Sequence, residues 1–152
     1  MLTAMIRGLF GSGCLLMLVL IQLGQPAHAE TERYNGVLRG DNLAPPVDTD
    51  GLGSVQLAVV GEELAWIVSF YDLESPPTAV QVYDPDGSGE NANVLLDLGK
   101  DWGDLGRNNI MAGKAMLNTD QRTSLSSGKL YLLVRTQAHP DGELRAQLQR
   151  FN

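Results

Sequence analysis

Residues 131–148 read YLLVRTQAHPDGELRAQL, and this stretch decides the fold. Leu130, Leu132 and Val134 alternate with Tyr131, Leu133 and Arg135, and Leu144, Ala146 and Leu148 alternate with Glu143, Arg145 and Gln147. Between them stands Pro140-Asp141-Gly142, a turn composition. Period-two alternation on both sides of turn chemistry predicts an antiparallel hairpin.

Upstream of this hairpin the pattern repeats in short segments, with no sustained 3.6-residue period. Residues 33–40 form a first short strand, and residues 42–50, with Pro45-Pro46, read as a loop or edge because proline donates no ladder hydrogen bond. Residues 53–60 place Val55, Leu57 and Val59 on one face. Gly61-Glu62 is a two-residue turn with glycine first, the composition of a type II′ hairpin. Residues 63–71 return with Leu64, Trp66, Val68 and Phe70 on one face, and Trp66 and Phe70 are expected at the centre of the core. Residues 79–83 and 93–98 are two further strands flanking an acidic, glycine-rich loop. Residues 99–113 read as irregular, and 114–117 as a short strand. Thr119 is expected to cap a short helix through Ser127, stopped by Gly128. Seven or eight short strands at this spacing predict an all-β fold, an antiparallel β-sandwich or barrel of immunoglobulin-like type, with one short helical turn before the C-terminal hairpin.

The N-terminus reads as an address. Arg7 precedes an apolar run at 15–21, and Ala27-His28-Ala29 before Glu30 has the small-x-small form of a secretory cleavage site. The expected division is a signal peptide at 1–29 and a single domain at 30–152. The apolar run is shorter than the roughly 20 residues a spanning helix needs, so no stable membrane insertion is expected after cleavage; an uncleaved anchor is the alternative. Cys14 is the one cysteine and lies in the leader, so the domain must hold together without disulfides.

Lys and Arg total 11 against 18 Asp and Glu, a formal charge of −7, and losing Arg7 with the leader takes it to −8. An acidic domain is a poor partner for nucleic acid.

Of the two histidines, only His139 lies in the domain. One imidazole and no thiolate cannot make an ordinary zinc or copper site, and no G-x-S-x-G nucleophile elbow occurs. The sharper candidate is a calcium loop using Asp84, Asp86, Glu90 and Asp97, since alternating carboxylates with glycines can wrap a hard cation. Neither EF-hand register closes: counted from Asp84 the twelfth position is Leu95, and counted from Asp86 the sixth is Asn91. The plainer alternative is a polar β-connection shaped by its turn residues. Trp102, among acids in a loop, marks a candidate contact surface. Glu143, Arg145 and Gln147 are expected about 7 Å apart along one strand face, as a cross-strand polar ladder with an acid set against Arg135 or Arg145.

These motifs, taken in order, resemble a CHRD domain over residues 34–148. That family's "N-x-x-P-P-V-x-T-x-x-x-G" segment is matched by residues 42–53, including Pro45 and Pro46. Its closing "G-E-[IL]-R-[GA]-Q" is matched by Gly142-Glu143-Leu144-Arg145-Ala146-Gln147. Two departures bear on function. Where family members carry His-Ile-His this chain has Val80-Gln81-Val82, and where they carry His-Thr it has Arg135-Thr136. The resemblance implies a fold and an extracellular compartment but no histidine chemistry. The expected function is an exported, non-enzymatic binding or structural module in the envelope, periplasm or medium, without a cofactor, whose partner is an extracellular protein or polymer. A calcium-stabilised module and a degenerate relative of a metal enzyme are the alternatives.

Overall fold

The structure is a computed structural model that describes residues 30–85, 93–99, 103–105 and 108–151. Ten strands form one antiparallel sheet: β1 (Thr31–Arg39), β2 (Leu52–Val60), β3 (Glu63–Tyr71), β4 (Pro77–Asp84), β5 (Asn93–Asp97), β6 (Gly103–Leu105), β7 (Asn108–Met116), β8 (Tyr131–Thr136), β9 (Leu144–Gln147) and β10 (Gln149–Phe151). Their order across the sheet is β5-β4-β8-β9-β1-β2-β3-β7-β6, with β10 beside β1.

The tail joins the two halves of this sheet. β9 pairs with β8 in the register Leu132↔Ala146 and Val134↔Leu144. Leu148 N–H then donates to Leu130 O at 2.9 Å, and the chain crosses to pair β10 with β1. The sheet folds back on itself, and side chains from both halves share one core. Leu38, Val55, Val68 and Phe70 come from one half and Val80, Val82, Leu132, Val134 and Leu144 from the other, all fully buried. Leu130, Leu132, Val134, Leu144, Ala146 and Leu148 are all buried, as are Leu133 and Glu143 of the alternate set, and Gly61 takes a φ of +62° in the expected β2–β3 turn.

Three expectations need correcting. Phe70 sits at the core centre, but Trp66 is only partly buried against its margin. Residues 99–113 are not irregular throughout, because β7 pairs with β3 over nine residues, from Glu63↔Met116 to Tyr71↔Asn108. Its sequence, NNIMAGKAM, hides this: of the inward positions 109, 111, 113 and 115 only Met111 is a large apolar residue. Gly113 is small for a reason, since a Cβ there would lie 2.5 Å from the Trp66 ring. Finally, the helix α1 (Thr119–Ser126) is capped by Asn118 rather than Thr119. Asn118 Oδ1 accepts from Gln121 N–H at 2.8 Å, and Gln121 Oε1 accepts from Asn118 N–H at 3.0 Å, a reciprocal capping box. Arg122 of α1 donates to Gly61 O and to Glu32 Oε1, which ties the helix to β1 and to the β2–β3 turn.

Tyr34 is the largest fully buried side chain, and its hydroxyl donates to Glu32 at 2.8 Å. Burial first, then the hydrogen bond to Glu32, raises its pKa above the ordinary 10.0. The folded state therefore holds this proton more tightly than the unfolded chain. Its contribution is complete below pH 10 and is lost as pH climbs through the folded value. Melting curves should show Tm falling as pH rises above about 10, and Tyr34→Phe should reduce that fall; an equal fall in the variant would contradict this role.

Candidate functional site

Gly142-Glu143 lies where the tail hairpin meets two loops. Gly142 has a φ of +133°, and a Cβ there would approach Leu133 Cδ1 to 2.6 Å. A side chain at this position would be strained and would displace the hairpin's own packing. The next residue, Glu143, is fully buried.

Glu143 is not a rung of the polar ladder expected with Arg145 and Gln147. Its Oε1 accepts from Thr49 Oγ1 and from the Glu74 backbone N–H, both at 2.9 Å, and Oε2 accepts from Thr136 Oγ1 at 2.7 Å. Hydroxyls and an amide take the place of the expected arginine. A buried carboxylate is tolerated when donors replace its hydration shell. Through it three segments are joined: the Pro45-Pro46 loop carrying Thr49, the loop before β4 carrying Glu74, and β8. Ala44–Pro45 is a cis peptide.

The closing turn is fastened to the same loop. Gln137 N–H donates to Pro76 O at 3.2 Å, Ala138 N–H to Ser75 Oγ at 2.8 Å, and the His139 ring meets Glu74 Oε2 at 2.9 Å. His139 is thus a contact that seats the turn on this loop.

The face of β4, β8 and β9 turned away from the core carries a second constellation, in which Tyr83 is buried and Tyr131, Arg135 and Arg145 are half-buried. Tyr83 and Tyr131 stack with ring centroids 5.4 Å apart and an interplanar angle of 10°. The Arg135 guanidinium lies 5.5 Å from the centre of the Tyr83 ring, and that of Arg145 lies 4.2 Å from the centre of the Tyr131 ring. Both distances suit cation–π attraction. Arg145 also donates to Asn42 O and Gln147 Oε1, each at 3.2 Å. Gln147 in turn donates to Leu130 O at 2.9 Å. Tyr83 donates to Gln81 at 2.7 Å, and burial raises its pKa, with the charge of Arg135 pulling the other way. The sequence reading singled out Arg135, Arg145 and Gln147 but missed the two tyrosines. The signal lay in β4 and β8 as neighbours, which brings Tyr83 opposite Tyr131.

Of the calcium candidates, Asp86 and Glu90 lie outside the described residues, as does Trp102. Asp84 and Asp97 are not brought together, since Asp84 pairs with Asn93 and Asp97 with Gln81, three positions along β4. Asp97 accepts from Gln81 and from Gly99 N–H, both at 2.9 Å. Among the described residues no three His, Cys, Asp or Glu side chains cluster as metal ligands.

Glu143→Ala would leave the Thr49, Thr136 and Glu74 donors without their acceptor. It should cost about 3 kcal/mol or more, lowering Tm by on the order of 10 °C. Glu143→Gln keeps one acceptor oxygen and should cost clearly less. Equal, small losses in thermal unfolding would show that the carboxylate does not hold the loops.

A family model described as CHRD domain matches residues 34–148 of the chain. No curated protein and no solved structure matches it.

Proposed function

The chain belongs to the CHRD domain family, and from that premise we propose that it acts outside the cytoplasm as a binding or structural module rather than as an enzyme. Glu143 carries this reading. It is the fully buried acidic side chain of the described residues, and its oxygens are committed to protein donors that hold loops in place. A catalytic carboxylate would instead face a substrate or a proton to be moved. His139 fits the same picture, engaged with Glu74 at the closing turn.

The leader at 1–29 supplies the route out of the cell. No helix among the described residues is long and apolar enough to cross a membrane. The partner is an extracellular protein or polymer rather than a nucleic acid, which an acidic domain repels. No residue outside the loop-holding role needs to be chemically activated for such a function.

Expression of the full chain with a C-terminal tag in a host with a secretory pathway, followed by fractionation and intact-mass measurement, tests the export step. The expected product begins at Glu30 and is found in the periplasm or medium. A cytoplasmic product that still begins at Met1 would contradict the reading.

A further inference from the structure

Several positive charges of the described surface are paired with carboxylates, whereas Arg33 on β1 and the arginines of the β4, β8 and β9 face are not, and among the described residues it is Arg135 and Arg145 that lie against tyrosine rings. Lys114 pairs with Glu63 at 2.8 Å, Arg122 with Glu32 at 2.9 Å, and Arg150 approaches Glu30 and Glu32 at 3.7 and 4.0 Å. Arg135 and Arg145 have no carboxylate partner among the described residues; each lies instead against a tyrosine ring. The hydrogen bonds of Arg145 go to neutral oxygens, which fix its plane without cancelling its charge. Arg39, exposed on β1, is the strand partner of Arg145 and adds a third guanidinium at this seam. A chain of formal charge −7 therefore gathers three arginines on one patch. Asp97, at the β5 margin, already accepts from Gln81 and Gly99.

We infer that this Arg135–Tyr83–Tyr131–Arg145 ladder is a binding face for a carboxylate-bearing polysaccharide, a polyuronate chain, an assignment that rests on the binding-module reading. Guanidinium offers paired, coplanar N–H donors that match a carboxylate two-to-two, which an ammonium cannot do. Stacking on the tyrosines sets those donors in advance, so less side-chain entropy is lost when a ligand arrives. The two guanidiniums are at most about 15 Å apart along the ladder, the combined length of its three steps. That suits a polymer that repeats a carboxylate along its length. The Tyr131 hydroxyl makes no hydrogen bond to a described residue, and so can serve a sugar hydroxyl.

The same face is poorly suited to a protein partner. Stable protein interfaces desolvate an apolar centre, yet the large exposed apolar side chains here, Val94 at the β5 edge and Val37 on β1, stand at opposite margins of the ladder and not at its centre. Val60, Ile67, Tyr71, Ile110 and Met116 are exposed on β2, β3 and β7 in the other half of the sheet.

The test is calorimetric titration of the folded protein with polygalacturonate, dextran and poly-glutamate. Polygalacturonate should bind, more weakly as salt is added, and dextran should not. The double variant Arg135→Gln/Arg145→Gln should bind at least tenfold more weakly, while Arg33→Gln/Lys114→Gln, the same charge change on the other half, should leave binding near that of the parent. Arg135→Lys/Arg145→Lys should fall several-fold despite its unchanged charge. Circular dichroism and Tm confirm that each variant is folded. Three results would overturn the assignment: no binding of polygalacturonate, equal losses in the two glutamine pairs, or poly-glutamate bound in its place. None of them would bear on export or family membership.

Discussion

A buried carboxylate is expensive in a protein interior unless donors surround it, and Glu143 shows what such a group accomplishes once they do. Its two oxygens draw in Thr49, Glu74 and Thr136, residues far apart in the chain that no hydrophobic pattern would bring together. Strand pairing fixes β8 against β9, but it leaves the two loops at this end of the sheet without ladder partners. Glu143 supplies those partners, and Gly142 gives the backbone the φ needed to deliver it. The glycine and the acid act as one unit, which accounts for the Gly-Glu pair in the closing motif.

With that end secured, β9 and the residue that follows it have two different faces. Inward, Leu144, Ala146 and Leu148 complete the core. Outward, Arg145 and Gln147 stand beside Tyr131, and the stack continues through Tyr83 to Arg135. An aromatic pair and each cation–π contact are worth on the order of 1 kcal/mol, modest beside the burial of the core. What the ladder adds is orientation, since two guanidiniums are fixed without being neutralised.

The hairpins were legible because strand alternation is a local, two-residue signal. Leu130 to Val134, Leu144 to Leu148 and Val55 to Phe70 declare their inner faces without any knowledge of the partner strand. β7 was not legible, because Asn109, Gly113 and Ala115 occupy its inward positions. Its place beside β3 depends on long-range pairing and on the room Trp66 needs over Gly113. Glu143 could be picked out as a motif residue but not given its role. Nothing local distinguishes a carboxylate facing an arginine on a strand from one turned inward to two threonines and an amide. The helix cap moved by one residue for a similar reason: Asn118 and Thr119 both have capping chemistry, and the reciprocal bond to Gln121 selects Asn118.

Amide hydrogen exchange at Glu74 tests the central role of Glu143 most directly. This N–H lies in a loop with no strand partner, and its acceptor is the Glu143 carboxylate at 2.9 Å. If that carboxylate organises the end of the sheet, the Glu74 amide should exchange slowly, on the timescale of the β8 amides. Exchange at the rate of an unprotected loop amide would contradict it.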